Sequence, residues 1–154
     1  MPAGSDRPAV PTLPHTWRPF GVRMAGAVLG GGLLLVCVLA WVGFDEQTQA
    51  RFTTFQRGTV IALGLLAFVL WFALVRSRVV AEAERLVVVN GYRRREFAWA
   101  QLVGVHLPPG APWVTLDLAD GTTVAAMGIQ GSDGARAKTA VRELRRIAEQ
   151  QTQR

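Results

Sequence analysis

The sequence predicts a two-helix transmembrane hairpin followed by a small α+β domain, a bent antiparallel sheet of six to seven strands capped by a C-terminal helix. Three observations predict it. Met24 to Phe44 and Gly58 to Val75 carry no formal charge. After Val75 the apolar pattern breaks into strand-length segments divided by turn signals. From Ala137 the apolar period becomes helical.

Residues 1 to 16 hold Pro2, Pro8, Pro11 and Pro14 among Gly, Ser and Thr, a composition that buries too little surface to fold, so 1–19 is expected to be a disordered cytoplasmic tail. His15 ends it without a second imidazole nearby, which argues against a metal role. At 1.5 Å per residue, helices over about 24–44 and 58–75 span roughly 31 Å and 27 Å, close to a bilayer's hydrocarbon thickness. They define a hairpin over 20–77, with Asp45 to Arg57 as an extramembrane turn too short for a domain. Trp17, Phe20, Trp41, Phe44, Phe52, Phe55, Trp71 and Phe72 fall where the two interfaces would lie.

Nine arginines (Arg7, Arg18, Arg23, Arg76, Arg78, Arg85, Arg93, Arg94, Arg95) flank the outer helix ends, against Arg51 and Arg57 in the turn, so both termini are expected in the cytoplasm. The first run is long for a signal peptide and ends in Trp-Val-Gly-Phe-Asp, without a small-x-small cleavage site. Gly26 and Gly30 have the spacing that lets helices approach closely, either within the hairpin or between two copies of the chain. Neither charge-free run holds an ionisable group for a proton relay, and Cys37 reads as a small apolar filler.

The domain is expected over 78–150, with 151–154 as a tail. Val79 to Ala81, Leu86 to Val89, Tyr92 to Phe97, Leu102 to Leu107, Trp113 to Leu118 and Thr122 to Met127 read as six hairpin-connected strands. Asn90-Gly91 suits a type I′ turn with two positive φ values, and Asp120-Gly121 a second tight turn. Ala137, Ala140, Val141, Leu144, Ile147 and Ala148 form the apolar stripe of the closing helix, with Ser132 or Asp133 as N-cap and Arg136, Lys138, Arg142, Arg145 and Arg146 mostly toward water.

The ordered set Thr16-Trp17-Arg18-Pro19, two apolar helices, Arg78-Val79-Val80, Asn90 to Arg95, Trp99 to Val105, Gly110 to Trp113 and Leu118 to Gly121 resembles the actinobacterial pleckstrin-homology (PH) domain membrane proteins of the low molecular weight protein antigen 6 group. The resemblance implies a PH-like fold of seven strands and a C-terminal helix. A seventh strand would fall near Gly128 to Gln130. PH domains that bind phosphoinositides carry their basic cluster in the first hairpin. The corresponding turn here, Glu82-Ala83-Glu84-Arg85, is acidic.

Function classes narrow accordingly. Glu96, His106, Asp117 and Asp120 are scattered, and no nucleotide or metal fingerprint occurs, so neither an enzyme nor a cofactor is expected. A single cysteine excludes an intramolecular disulfide. Of 17 basic residues 16 are Arg, which reads first as a composition bias. The pI near 11.2 invites comparison with nucleic-acid binders, but only Tyr92 and Phe97 flank the Arg-rich strand, and Glu143 and Glu149 dilute the helix. Arg76, Arg78, Arg93, Arg94 and Arg95 are the candidate membrane-surface contacts. The expected function is a membrane-anchored, non-catalytic module presenting a cytoplasmic PH-like domain to an unknown protein partner or to anionic lipid headgroups. The alternative is a small accessory subunit whose hairpin makes the functional contact.

Overall fold

The computed structural model describes residues 11–153. Eleven main elements follow in order: β1 (His15–Trp17), α1 (Gly21–Gly43), α2 (Glu46–Arg51), α3 (Thr54–Arg76), β2 (Arg78–Ala81), β3 (Arg85–Asn90), β4 (Arg93–Ala98), β5 (Leu102–His106), β6 (Trp113–Leu118), β7 (Thr123–Gln130) and α4 (Ala135–Thr152).

The helices α1 and α3 are each 23 residues long, apolar enough to cross a membrane, and bury no residue within the chain. Both begin earlier than the charge-free runs. Thr53 Oγ1 accepts the Gln56 N–H at 3.2 Å while Gln56 Oε1 accepts the Thr53 N–H at 2.9 Å, and this capping box starts α3 ahead of Arg57. The intervening turn holds the short helix α2. There the Gln49 amide donates to the Trp41 and Phe44 carbonyls at the end of α1, and the Arg57 guanidinium lies 5.0 Å from the Trp41 ring centre.

The strands form two antiparallel sheets, β1-β2-β3-β4 and β5-β6-β7, and this corrects the expectation of one continuous sheet. The break falls between β4 and β5 at a 3₁₀ turn, Trp99–Gln101. Trp99 is buried and its indole N–H donates to the Glu82 carbonyl at 3.1 Å, while Gln101 Oε1 accepts the Ala98 N–H. The chain therefore turns a corner instead of a hairpin.

The first sheet gains a strand from the far side of the helical hairpin. His15, Thr16 and Trp17 pair with Ala81, Val80 and Val79, so β1 supplies the seventh strand. The expected tail thus ends before residue 15. Its portion 1–10 lies outside the described residues. The strand sought near Gly128 to Gln130 is instead the distal half of β7. There the partners of β6 jump from Ala126, opposite Val114, to Gln130, opposite Trp113, and β7 swings toward β2. Gly128 permits this approach: a Cβ there would stand 2.5 Å from the Arg78 carbonyl carbon.

The β3–β4 turn also differs from expectation. Asn90 is still paired with Arg93, and among the described residues only glycines have positive φ, Gly91 at 60°. The turn is Gly91-Tyr92 with glycine first, the type II′ pattern. Asn90 uses its side chain instead, donating to the Ala125 carbonyl at 2.6 Å and accepting the Met127 N–H at 3.0 Å, which ties β3 to β7. At the β6–β7 turn the Thr122 hydroxyl (2.7 Å) and N–H (2.9 Å) hold Asp120 and lower its pKa below the ordinary carboxylate range.

The helix α4 buries Ala137, Ala140, Val141, Leu144 and Ile147 against residues of both sheets in one core, as its period predicts, and runs to Thr152. Its cap is Gly134, not Ser132 or Asp133. Arg145, expected toward water, donates through Nε and Nη2 to the Val105 carbonyl. Trp17 completes the core from β1, its N–H on Glu143 of α4 at 3.0 Å, with the His15 ring edge-on 4.7 Å away.

Candidate membrane-facing site

The domain is fastened to the ends of both long helices. At the start of α1 the Asp133 carboxylate accepts the N–H groups of Phe20 (3.0 Å) and Gly21 (2.7 Å). A carboxylate at that position satisfies two orphan donors and complements the positive helix terminus. Arg136, in the first turn of α4, places its guanidinium 4.1 Å from the Phe20 ring centre. At the end of α3, Ser77 is fully buried, and its hydroxyl donates to the Ala73 carbonyl (3.2 Å) and accepts the Gly91 N–H (2.9 Å). Tyr92 then reaches back along α3, its hydroxyl 3.4 Å from the Val69 carbonyl, and Arg76 sits 6.0 Å from its ring centre. The β3–β4 turn is thereby set beside the last two turns of an apolar helix.

Removing the Ser77 hydroxyl would leave the Gly91 N–H without its partner at a buried position. Ser77→Ala is expected to cost about 1–3 kcal/mol and to speed hydrogen exchange at Gly91 and Tyr92 while leaving β6 protected. Unchanged exchange at the turn would refute this coupling.

The five arginines expected at the membrane do not form one cluster. The register places Arg93 and Arg95 opposite Asn90 and Val88, on the face that holds the core, and both line a groove with Leu70, Ala73 and Leu74 of α3. Arg94 and Arg78 belong to the opposite face, flanking Val89. Arg94 is paired with Glu96 at 2.7 Å, and Glu96 also holds Arg85 at 2.8 Å. The Glu82 carboxylate, hydrogen-bonded to Arg85 at 2.7 Å, raises the Arg85 pKa above its ordinary value, with Glu96 and Glu84 adding to the effect. The acidic Glu82–Arg85 turn is therefore balanced by an outer-face ion network. Arg76 joins Tyr92 at the helix end.

Of the two glycines proposed for helix packing, Gly26 lies against Trp71 of the same chain. A Cβ there would meet the indole, which donates to the Val22 carbonyl at 3.3 Å. Gly30 has nothing within 4 Å, and neither do Gly31 and Gly32. His106 Nε2 and Asp117 Oδ2 lie 2.7 Å apart on an exposed part of the second sheet. Among the described residues no group of three or more His, Cys, Asp or Glu side chains is placed to hold a metal ion. Sequence reasoning missed Ser77 and the contacts that Tyr92, Asp133 and Arg136 make with the long helices, across as many as 113 residues.

Residues 76–147 match the bacterial PH domain family. The chain is 31% identical over 142 residues to uncharacterized proteins of Mycobacterium bovis and Mycobacterium tuberculosis, covering 87% of this chain and 84% of theirs. The chain belongs to the same family as these mycobacterial proteins, and its residues 76–147 carry the bacterial PH domain. No solved structure matches it.

Proposed function

We propose that the protein is a non-catalytic, membrane-anchored interaction module. In this reading α1 and α3 cross the membrane, both termini are cytoplasmic, and the PH-like domain rests against the inner leaflet. Membership of the low molecular weight protein antigen 6 group is part of the same proposal, supported by the ordered motifs from Thr16 to Gly121. The observation that carries it is the attachment of the Arg-bearing hairpin to α3 through Ser77 and Tyr92, which holds Arg93 and Arg95 beside the end of α3, where Arg76 also lies. Each arginine at an anionic leaflet contributes on the order of 1 kcal/mol.

The pairing of β1 with β2 supports an even number of crossings, because Thr16 and Val80 must share one side of any membrane. The excess of arginine outside the hairpin supports the cytoplasmic side. The edge of β5 and the groove beside α4, lined by Leu102, Val103 and Ala148, lie on a part of the domain that makes none of these helix-end contacts, and are assigned to a protein partner. The accessory-subunit alternative is the weaker, because Gly26 is used within the chain against Trp71.

Spin labels at position 92 or 103, in a Cys37→Ala background of the full chain in vesicles, test the reading. The label at 92 should be relaxed by lipid-dissolved oxygen and shielded from an aqueous nickel chelate, and the label at 103 the reverse. Equal aqueous access at both sites would remove the docked domain from consideration.

A further inference from the structure

The strand β4 has an anomaly that surface docking does not explain. Its core-side face reads Arg93, Arg95, Phe97, while the cross-strand partners on β3 are Asn90, Val88 and Leu86. Val88 is 1% and Leu86 0% exposed, and on the edge strand β4 the two exposed arginines extend that face past the core into the open groove. Among the described residues neither Arg93 nor Arg95 has a carboxylate partner. The nearest acidic residue in the strand, Glu96, points to the other face and is engaged by Arg85 and Arg94. Like charges side by side on one face repel unless an anion joins them.

The groove they line measures about 550 Å³, within the range of small-ligand sites. Its polar groups other than the arginines are largely spoken for: Asn90 bonds to β7, and Ser77 bonds to Ala73 and Gly91. One wall is the apolar end of α3, Leu70, Ala73 and Leu74, so on the docked reading the groove would open at the headgroup region. A ligand that complements it has an anionic head with several acceptor oxygens and an apolar tail.

We propose that this groove binds one anionic phospholipid of the adjoining leaflet, its phosphate held between Arg93 and Arg95 and its acyl chain laid along Leu70 and Leu74. This rests on the docked reading above and narrows it from a charged surface to a stoichiometric site. Guanidinium groups suit a phosphodiester because they donate in pairs to its oxygens.

The test uses the full chain in nanodiscs of phosphatidylcholine with one quarter phosphatidylglycerol, released for native mass spectrometry. One phosphatidylglycerol should be retained per chain. The Arg93→Gln/Arg95→Gln variant should retain it at least tenfold less, while Arg94→Gln, on the other face, should match the parent. Thr123→Trp fills the exposed rim of the groove without altering charge, and it too should lose the lipid while keeping the parent's circular dichroism and melting temperature. If retention survives Thr123→Trp, or falls equally with any one arginine replaced, the site is wrong and only a charged surface remains. The spin-label measurement judges that surface separately. Displacement of the lipid by millimolar glycerol 3-phosphate would show that the groove takes a free phosphate, which also overturns the lipid assignment.

Discussion

Trp17→Ala is expected to destabilise the domain by about 3–5 kcal/mol, the largest loss foreseen for any single truncation before the helical hairpin. The side chain is 8% exposed and packs into the core shared by both sheets and α4, and its N–H is held by Glu143. Truncation removes apolar contacts and breaks the Trp17–Glu143 hydrogen bond, leaving the carboxylate with His15 at 3.9 Å and solvent, so the transfer cost dominates. Thr16, on the opposite face of the same strand and exposed, serves as the control, with Thr16→Ala expected to stay within about 0.5 kcal/mol. Thermal unfolding of the full chain in detergent should fall by more than about 10 °C for the first variant and hardly move for the second. A Trp17→Ala protein that melts with the parent would mean that β1 contributes nothing to the sheet.

The physical consequence reaches beyond one residue. Because β1 precedes both long helices and β2 follows them, the helical hairpin is an insertion in the first strand connection of the PH-like domain. The sheet cannot close until both helices have been made. A fragment that starts at residue 78 lacks an edge strand and exposes the backbone of β2, an invitation to non-native pairing. Binding studies are therefore sound only on the full chain.

Which parts of this were legible follows from how each is encoded. The long helices announce themselves because lipid tolerates no charge over some 20 residues. The strands from Arg78 onward and the stripe of α4 were readable from period and turn residues, since those signals are local. The strand β1 was not. Three residues flanked by Pro14 and Pro19 fall below any periodicity window, and the partners lie about 64 positions away, as in Thr16 with Val80. The corner at Trp99–Gln101 carries neither Gly nor Pro, so the division into two sheets left no local mark. Asn90 shows how a strong local signal misleads: its amide is claimed by β7, and the turn shifts by one residue onto Gly91-Tyr92. The arginine triplet was visible as charge. Its partition, with Arg93 and Arg95 toward the groove and Arg94 outward, required the strand register.

That partition depends on where β7 meets the first sheet, and Gly128 governs the meeting. A Cβ at residue 128 would lie 2.5 Å from the Arg78 carbonyl carbon and 2.6 Å from both Arg78 Cα and Val79 N. All three are backbone atoms and cannot rotate aside as a side-chain tip would. Gly128→Ala must therefore push β7 away from β2, at a cost toward the upper end of the roughly 1–3 kcal/mol typical of overpacking. Separation there also loosens the Asn90 bridge, made to Ala125 and Met127 just before the glycine, and with it the seating of the β3–β4 turn beside α3. The expected phenotype is twofold: a lower midpoint of unfolding, and faster hydrogen exchange at Met127 and Gly91 even below that midpoint. Gly30→Ala isolates the cause. It adds the same methyl group in α1, where nothing lies within 4 Å and Ala is the better helix former, and should neither lower the midpoint nor speed the exchange. Equal melting of the two alanine variants would mean that β2 and β7 are not in backbone contact, and that Arg78 and the end of α3 are positioned by something other than this crossing.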